Sequence, residues 1–124
     1  MLRTISQLTF MAVLATGLMI SPGNAEERYT SARSLVQRTQ DDLQRARDND
    51  TTKTAKALER IDNAKKHLAD FDRHLAKNDF EGDRLNEAID DLKNVIDNNP
   101  LLSADRDALS VDIADLRHLR ETKH

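Results

Sequence analysis

Thr54, Ala57, Ile61, Ala64, Leu68, Phe71 and Leu75 recur at alternating intervals of three and four residues. That spacing places all seven side chains on one stripe of an α-helix. The stripe is narrow and has charged neighbours on both sides, the pattern of a helix that packs lengthwise against another helix. A chain built around such a segment must bury it by helix-on-helix packing. The remaining sequence obeys the same constraint. Beyond Glu26 it holds one glycine, Gly82, and one proline, Pro100, too few breakers for the turns of an all-β domain.

Periodicity and stop signals divide the chain into four helical segments. Tyr29, Ala32, Val36, Thr39, Leu43 and Ala46 form a first, small-residue seam, which Asp48-Asn49-Asp50-Thr51-Thr52 interrupts with side chains that favour turns and caps. The long seam follows and ends at Lys77-Asn78-Asp79, with Phe80 as an apolar plug at the corner and Asp83 as an N-cap candidate after Gly82. Leu85, Ala88, Ile89, Leu92, Val95 and Ile96 make a wider third stripe. Pro100 closes it, because the residue before a proline is pushed out of the α region. Ser103 reads as the N-cap of a last helix with Leu109, Ile113, Leu116 and Leu119 on its inner face and Leu101 and Leu102 packing at its entry. The sequence therefore predicts an all-α fold, a small up-down antiparallel bundle of four helices over residues 27–48, 51–77, 83–98 and 103–121.

The first 25 residues have a different character. Arg3, an apolar run from Leu8 to Ile20 and the small residues Gly23-Asn24-Ala25 have the layout of a secretory signal peptide cleaved before Glu26. The run is too short for the roughly 20 residues of a spanning helix, so no stable membrane span is expected after cleavage. Residues 1–25 are expected to be the signal and residues 26–124 a single domain, periplasmic or secreted. Cysteine is absent, so this domain must be held by packing, a ligand or self-association.

Charge narrows the partners. Residues 26–77 carry 12 basic and 10 acidic side chains, and residues 78–124 carry 6 and 12. An overall acidic surplus gives no attraction to nucleic acid, which recruits clustered Lys and Arg. Lys53, Lys56, Arg60, Lys65 and Lys66 make the second helix basic along part of its length, a stripe expected to face the acidic third and fourth helices or those of another copy.

No motif for catalysis stands out. Asp41-Asp42 and Asp90-Asp91 are adjacent pairs, and neighbouring helix residues point about 100° apart, so each pair reads as a solvated face and not as two converging carboxylates. The leading expectation is an exported, non-catalytic protein without a cofactor that binds a protein partner or a second copy. Ile61, Leu68, Phe71 and Leu75 are its candidate interface, chiefly as structure and secondarily as a binding face. A competing reading is a small metal or ligand carrier, because His67, Asp70 and His74 lie at i, i+3 and i+7 and could present two imidazoles and a carboxylate to a divalent ion. In size, charge and helicity the chain also resembles the small exported helical chaperones of the cell envelope, although their L-T-x-x-Q signature is not found. That resemblance implies a stress-chaperone role as a third possibility.

Overall fold

A computed structural model describes residues 29–122, which form four helices and, among the described residues, no strand. The expected signal peptide lies outside the described residues. The helices are α1 (Thr30–Asn49), α2 (Ala55–Ala76), α3 (Gly82–Asn98) and α4 (Ser103–Thr122). Each packs on two neighbours: α1 on α2 and α4, and α3 on α2 and α4, with the broadest contact between α2 and α3.

The cross-helix hydrogen bonds show the direction of each neighbour. As the α1 position advances from Arg33 to Gln40 to Arg47, its α2 partner falls back from Asp72 to Lys65 to Asp62. Arg38 meets Asp112 and Asp115 while Asn49 meets Asp105, so α4 also runs opposite to α1. His67 pairs with Asp91 and Arg60 with Asn99, and the same reversal holds between α2 and α3. Short connections enforce this arrangement, because they leave successive helices no room except to fold back.

The seams meet on the bundle axis. Ala57, Ile61, Ala64, Leu68, Phe71 and Leu75 of α2 are all buried, together with Leu43, Leu85, Leu92, Val95, Leu109 and Leu116 from the other helices. Thr54, the first residue of the long seam, does a different job: its side chain accepts the Ala57 N–H at 3.2 Å and caps α2. Phe80 plugs the corner as expected, edge-on to Phe71 with ring centroids 5.4 Å apart and tilted 5.9 Å from Tyr29.

The helix starts differ from the sequence reading. Residues 51–53 are not helical, because Asp50 Oδ1 accepts the Thr52 N–H at 2.8 Å, the Thr52 hydroxyl at 2.7 Å and the Lys53 N–H at 3.2 Å. The Thr52 hydrogen bond is the largest of the influences that hold the Asp50 carboxyl below its usual range. Lys53, at φ 42°, then turns its ammonium onto the carbonyls of Arg47 and Asp50, each at 2.8 Å, closing the C-terminus of α1. Glu81, not Asp83, is the cap residue of α3, and Ser103 lies within the first turn of α4, where the Leu102 carbonyl accepts the Arg106 N–H at 2.9 Å.

Asn99, just before Pro100, is buried and ties the end of α3 to the start of α2. Its Nδ2 donates to the Ala57 carbonyl at 2.9 Å, and its Oδ1 accepts from Arg60 Nη1 at 3.1 Å. Asn99→Ala removes both links and is expected to cost about 2 kcal/mol in urea unfolding, the range for a buried hydrogen-bonded group.

Candidate functional site

The proposed seam interface is not on the surface. Ile61, Leu68 and Phe71 are 0 % exposed and Leu75 is 1 % exposed, so these side chains are core and offer nothing to a partner of the folded bundle. The reason is the ring of four helices: every two-in-seven stripe has a neighbour to cover it.

The expected metal triad does not assemble either. His67 Nδ1 pairs with Asp91 Oδ2 of α3, and its Nε2 lies 3.9 Å from Glu87 Oε1. Asp70 is taken by Arg73 one turn later. His74 turns instead toward the α2–α3 connection, with Nδ1 3.0 Å from Asp79 Oδ2. The three positions share a face of α2, but each is claimed by a different partner: His67 by α3, Asp70 by the next turn of α2 and His74 by the corner that follows.

The basic stripe of α2 has a local role. Arg60 reaches the α3–α4 turn, Lys65 reaches Gln44, and Lys53 closes α1. The charge pairing expected of it falls to α1, whose Arg33 donates to Asp72 at 2.9 Å and whose Arg47 donates to Asp62 at 2.8 Å.

Between α1 and α4 lies a polar seam that the sequence reading placed in solvent. Asp41 is exposed but Asp42 is buried, and so are Asp105 and Asp112 of α4. Arg38 Nε donates to Asp112 Oδ1 at 2.8 Å, Arg38 Nη2 to Asp115 Oδ2 at 2.7 Å, and Arg45 Nη1 to Asp42 Oδ1 at 2.8 Å. Burial, followed by the hydrogen bond with Asp42, pushes the Asp112 carboxyl up to about 7 against the pull of Arg38. Burial works to raise Asp42 as well, but the hydrogen bonds from Asp112 and Arg45 outweigh it and hold Asp42 below its usual range. The buried Asp112 Oδ2 has no hydrogen-bond partner, and the opposite shifts of the two carboxyls favour the proton on Asp112 beside an ionised Asp42. Two like-charged carboxylates at close range share one proton for this reason.

What the bundle leaves open is the outward face of α4. The outer faces of α1, α2 and α3 are dominated by charged and amide side chains, whereas that of α4 carries Ala104, Ala108, Val111, Ala114 and His118 interspersed with Asp107 and Asp115. Val111 is 54 % exposed, and Leu102, just ahead of the helix, is 55 % exposed instead of packing at the entry; Leu101 alone turns inward. These two are the exposed large hydrophobic residues among those described.

Shallow grooves flank α4 on both sides. One, of about 240 Å³, lies between α3 and α4 and is lined by Ile96, Ile113 and Ser110 together with Lys93, Asp97 and Arg117. The other, of about 270 Å³, lies between α1 and α4 beside Leu35 and Leu119. The result is a low ridge, apolar at Ala104, Ala108, Val111 and Ala114, between two part-apolar channels. Val111 is the sequence signal for this face, since it lies out of phase with Leu109, Ile113 and Leu116. Among the described residues no helix is long and apolar enough to cross a membrane. No protein-family profile matches the chain, and no curated protein or solved structure is significantly similar to it.

Proposed function

We propose that the protein is exported after removal of residues 1–25 and acts, without catalysis, by binding another protein through the outward face of α4. The observation that carries this reading is the exposure of Val111 on α4, which two part-apolar grooves flank, and of Leu102 ahead of the helix beside Asn49 and Thr51, in a bundle whose other large apolar side chains are wholly or partly covered. Isolated apolar residues on a surface are ordinary, but a ridge continued by alanines and bordered by grooves is a surface for a partner helix.

Charge favours one class of occupant. With the buried Asp105 and Asp112 set aside, the half of the chain that builds α3 and α4 still has 10 of its 12 acidic side chains against 6 basic ones, so the favoured partner is a basic amphipathic helix. A second copy of this chain would oppose two surfaces with the same acidic surplus.

Residues 26–124 are expected to run as a monomer in light scattering coupled to size exclusion, and to bind a fluorescent Lys/Leu amphipathic helical peptide in anisotropy titrations, more weakly as salt rises. Replacing both Leu102 and Val111 by serine removes about 2 kcal/mol of apolar burial and is expected to weaken binding at least about tenfold with the melting curve unchanged. Absence of binding, or equal affinity for the double variant, would overturn the reading. Recovery of the exported product with Glu26 at its N-terminus tests the other half of the proposal.

A further inference from the structure

We propose that His74, Asp79 and Glu81 form a binding site for a divalent transition-metal ion, with zinc as its probe, at the α2–α3 corner. One ligand atom from each of the three residues lies within 4.8 Å of the other two. The nearest pair, His74 Nδ1 and Asp79 Oδ2, is 3.0 Å apart. That separation is close to the bite of two donors each about 2.1 Å from one zinc ion, so the ion takes the place of the proton now between them. Glu81 closes the remaining distance by rotating a flexible side chain.

The backbone holds the corner ready. The His74 carbonyl accepts the N–H groups of Lys77 at 3.0 Å and Asp79 at 2.8 Å, and the Leu75 carbonyl accepts that of Asn78 at 2.9 Å. Asn78 stands at φ 62°, a left-handed conformation that asparagine tolerates and that turns the chain back on the helix end. Phe80, between the two carboxylates in sequence, is fixed edge-on against the core residue Phe71. The donors therefore flank an anchored residue, and little chain entropy remains to be lost when an ion binds.

Charge and donor type agree. Among the described residues neither Asp79 nor Glu81 forms an ion pair with lysine or arginine in the folded chain. A neutral imidazole with two carboxylates carries two negative charges, which a dication neutralises. The imidazole nitrogen favours zinc and its transition-metal neighbours over magnesium or calcium, which prefer all-oxygen sites. Three protein ligands leave a further position for water, the pattern of an exchangeable ion and not of a closed structural site. This inference stands apart from the α4 reading, since α4 supplies none of the three residues.

The test is calorimetric titration of zinc chloride into chelator-treated residues 26–124 in a buffer that does not bind metal. One ion per chain is expected, and Asp79→Asn, Glu81→Gln and His74→Ala are each expected to weaken binding at least about tenfold, as loss of one of three ligands implies. His67→Ala is expected to bind as the parent does. The two isosteric carboxylate variants keep the experiment decisive if His74→Ala unfolds. Absence of saturable binding, affinity unchanged in Asp79→Asn and Glu81→Gln, or an equal loss in His67→Ala would overturn the site.

Discussion

Asp112→Asn is expected to stabilise the protein at pH 8 and to flatten its stability across mildly acidic pH. The unfolded chain titrates this carboxyl near ~4, whereas the fold, which leaves Asp112 1 % exposed, raises it to about 7. Between those values the folded state binds the extra proton, so stability falls as pH rises, and above the folded value the full penalty remains. Three units correspond to at most about 4 kcal/mol at pH 8. Asparagine has nearly the same shape, can accept from Arg38 through Oδ1 and can donate to Asp42 through its amide, without a charge to desolvate. A gain of about 2 kcal/mol at pH 8 is therefore expected, with little change near pH 4.5.

The lowered groups work in the opposite sense. Asp42 and Asp50 contribute stability that is present above the unfolded value and lost as pH falls through their folded values. The wild-type optimum should thus lie on the acidic side of neutrality. Urea unfolding at several pH values checks it, and a wild-type curve that rises from pH 4.5 to 8 would contradict the raised Asp112 carboxyl.

Phe71→Asp is expected to unfold the chain outright, with loss of the helical far-ultraviolet circular dichroism signal. Removing the ring alone costs about 3–5 kcal/mol at a fully buried site, and here Phe71 also loses its edge-on contact with Phe80. An aspartate with no cation to meet it adds the cost of burying an unpaired charge. The sum reaches the whole stability of a small domain, typically about 5–15 kcal/mol. Phe71→Leu, apolar and somewhat smaller, should remain folded with a loss of about 1–2 kcal/mol. A folded, monomeric Phe71→Asp would mean that α2 presents this seam outward and that the bundle is assembled differently.

The elements themselves were legible because the signals that make them are local. The seam from Ala57 to Leu75, the break at Asp50-Thr51-Thr52 and the stop at Asn99-Pro100 each depend on residues a few positions apart, and the helices of the bundle end within a few residues of those marks. Caps were less legible. Thr54 caps α2 three residues after the expected start at Thr51, and α3 begins after Glu81 with no side-chain cap although Asp83 follows two residues later.

Sites were legible only in part. His74 has Asp79 and Glu81 within reach across the corner, whereas His67 and Asp70, its expected companions along the helix, pair with Asp91 and Arg73. Asp42 read as a solvated half of an acid pair, and nothing within a few residues of it shows that Asp112 lies opposite. The apolar ridge of α4 became visible only once the inner phase of Leu109, Ile113 and Leu116 was seen to leave Val111 outside.

Periodicity and breakers by themselves determined four helices, their approximate limits and the stripe that each buries, since hydrogen bonding and side-chain direction within a helix depend on near neighbours in the chain. Tertiary packing alone decided which stripe covers which, that Asp42 of α1 and Asp112 of α4 are shifted in opposite directions, and that Val111 stays in water. Those outcomes depend on pairs of residues tens of positions apart, such as Asp42 and Asp112, and distant side chains meet only when the helices have chosen their neighbours and directions.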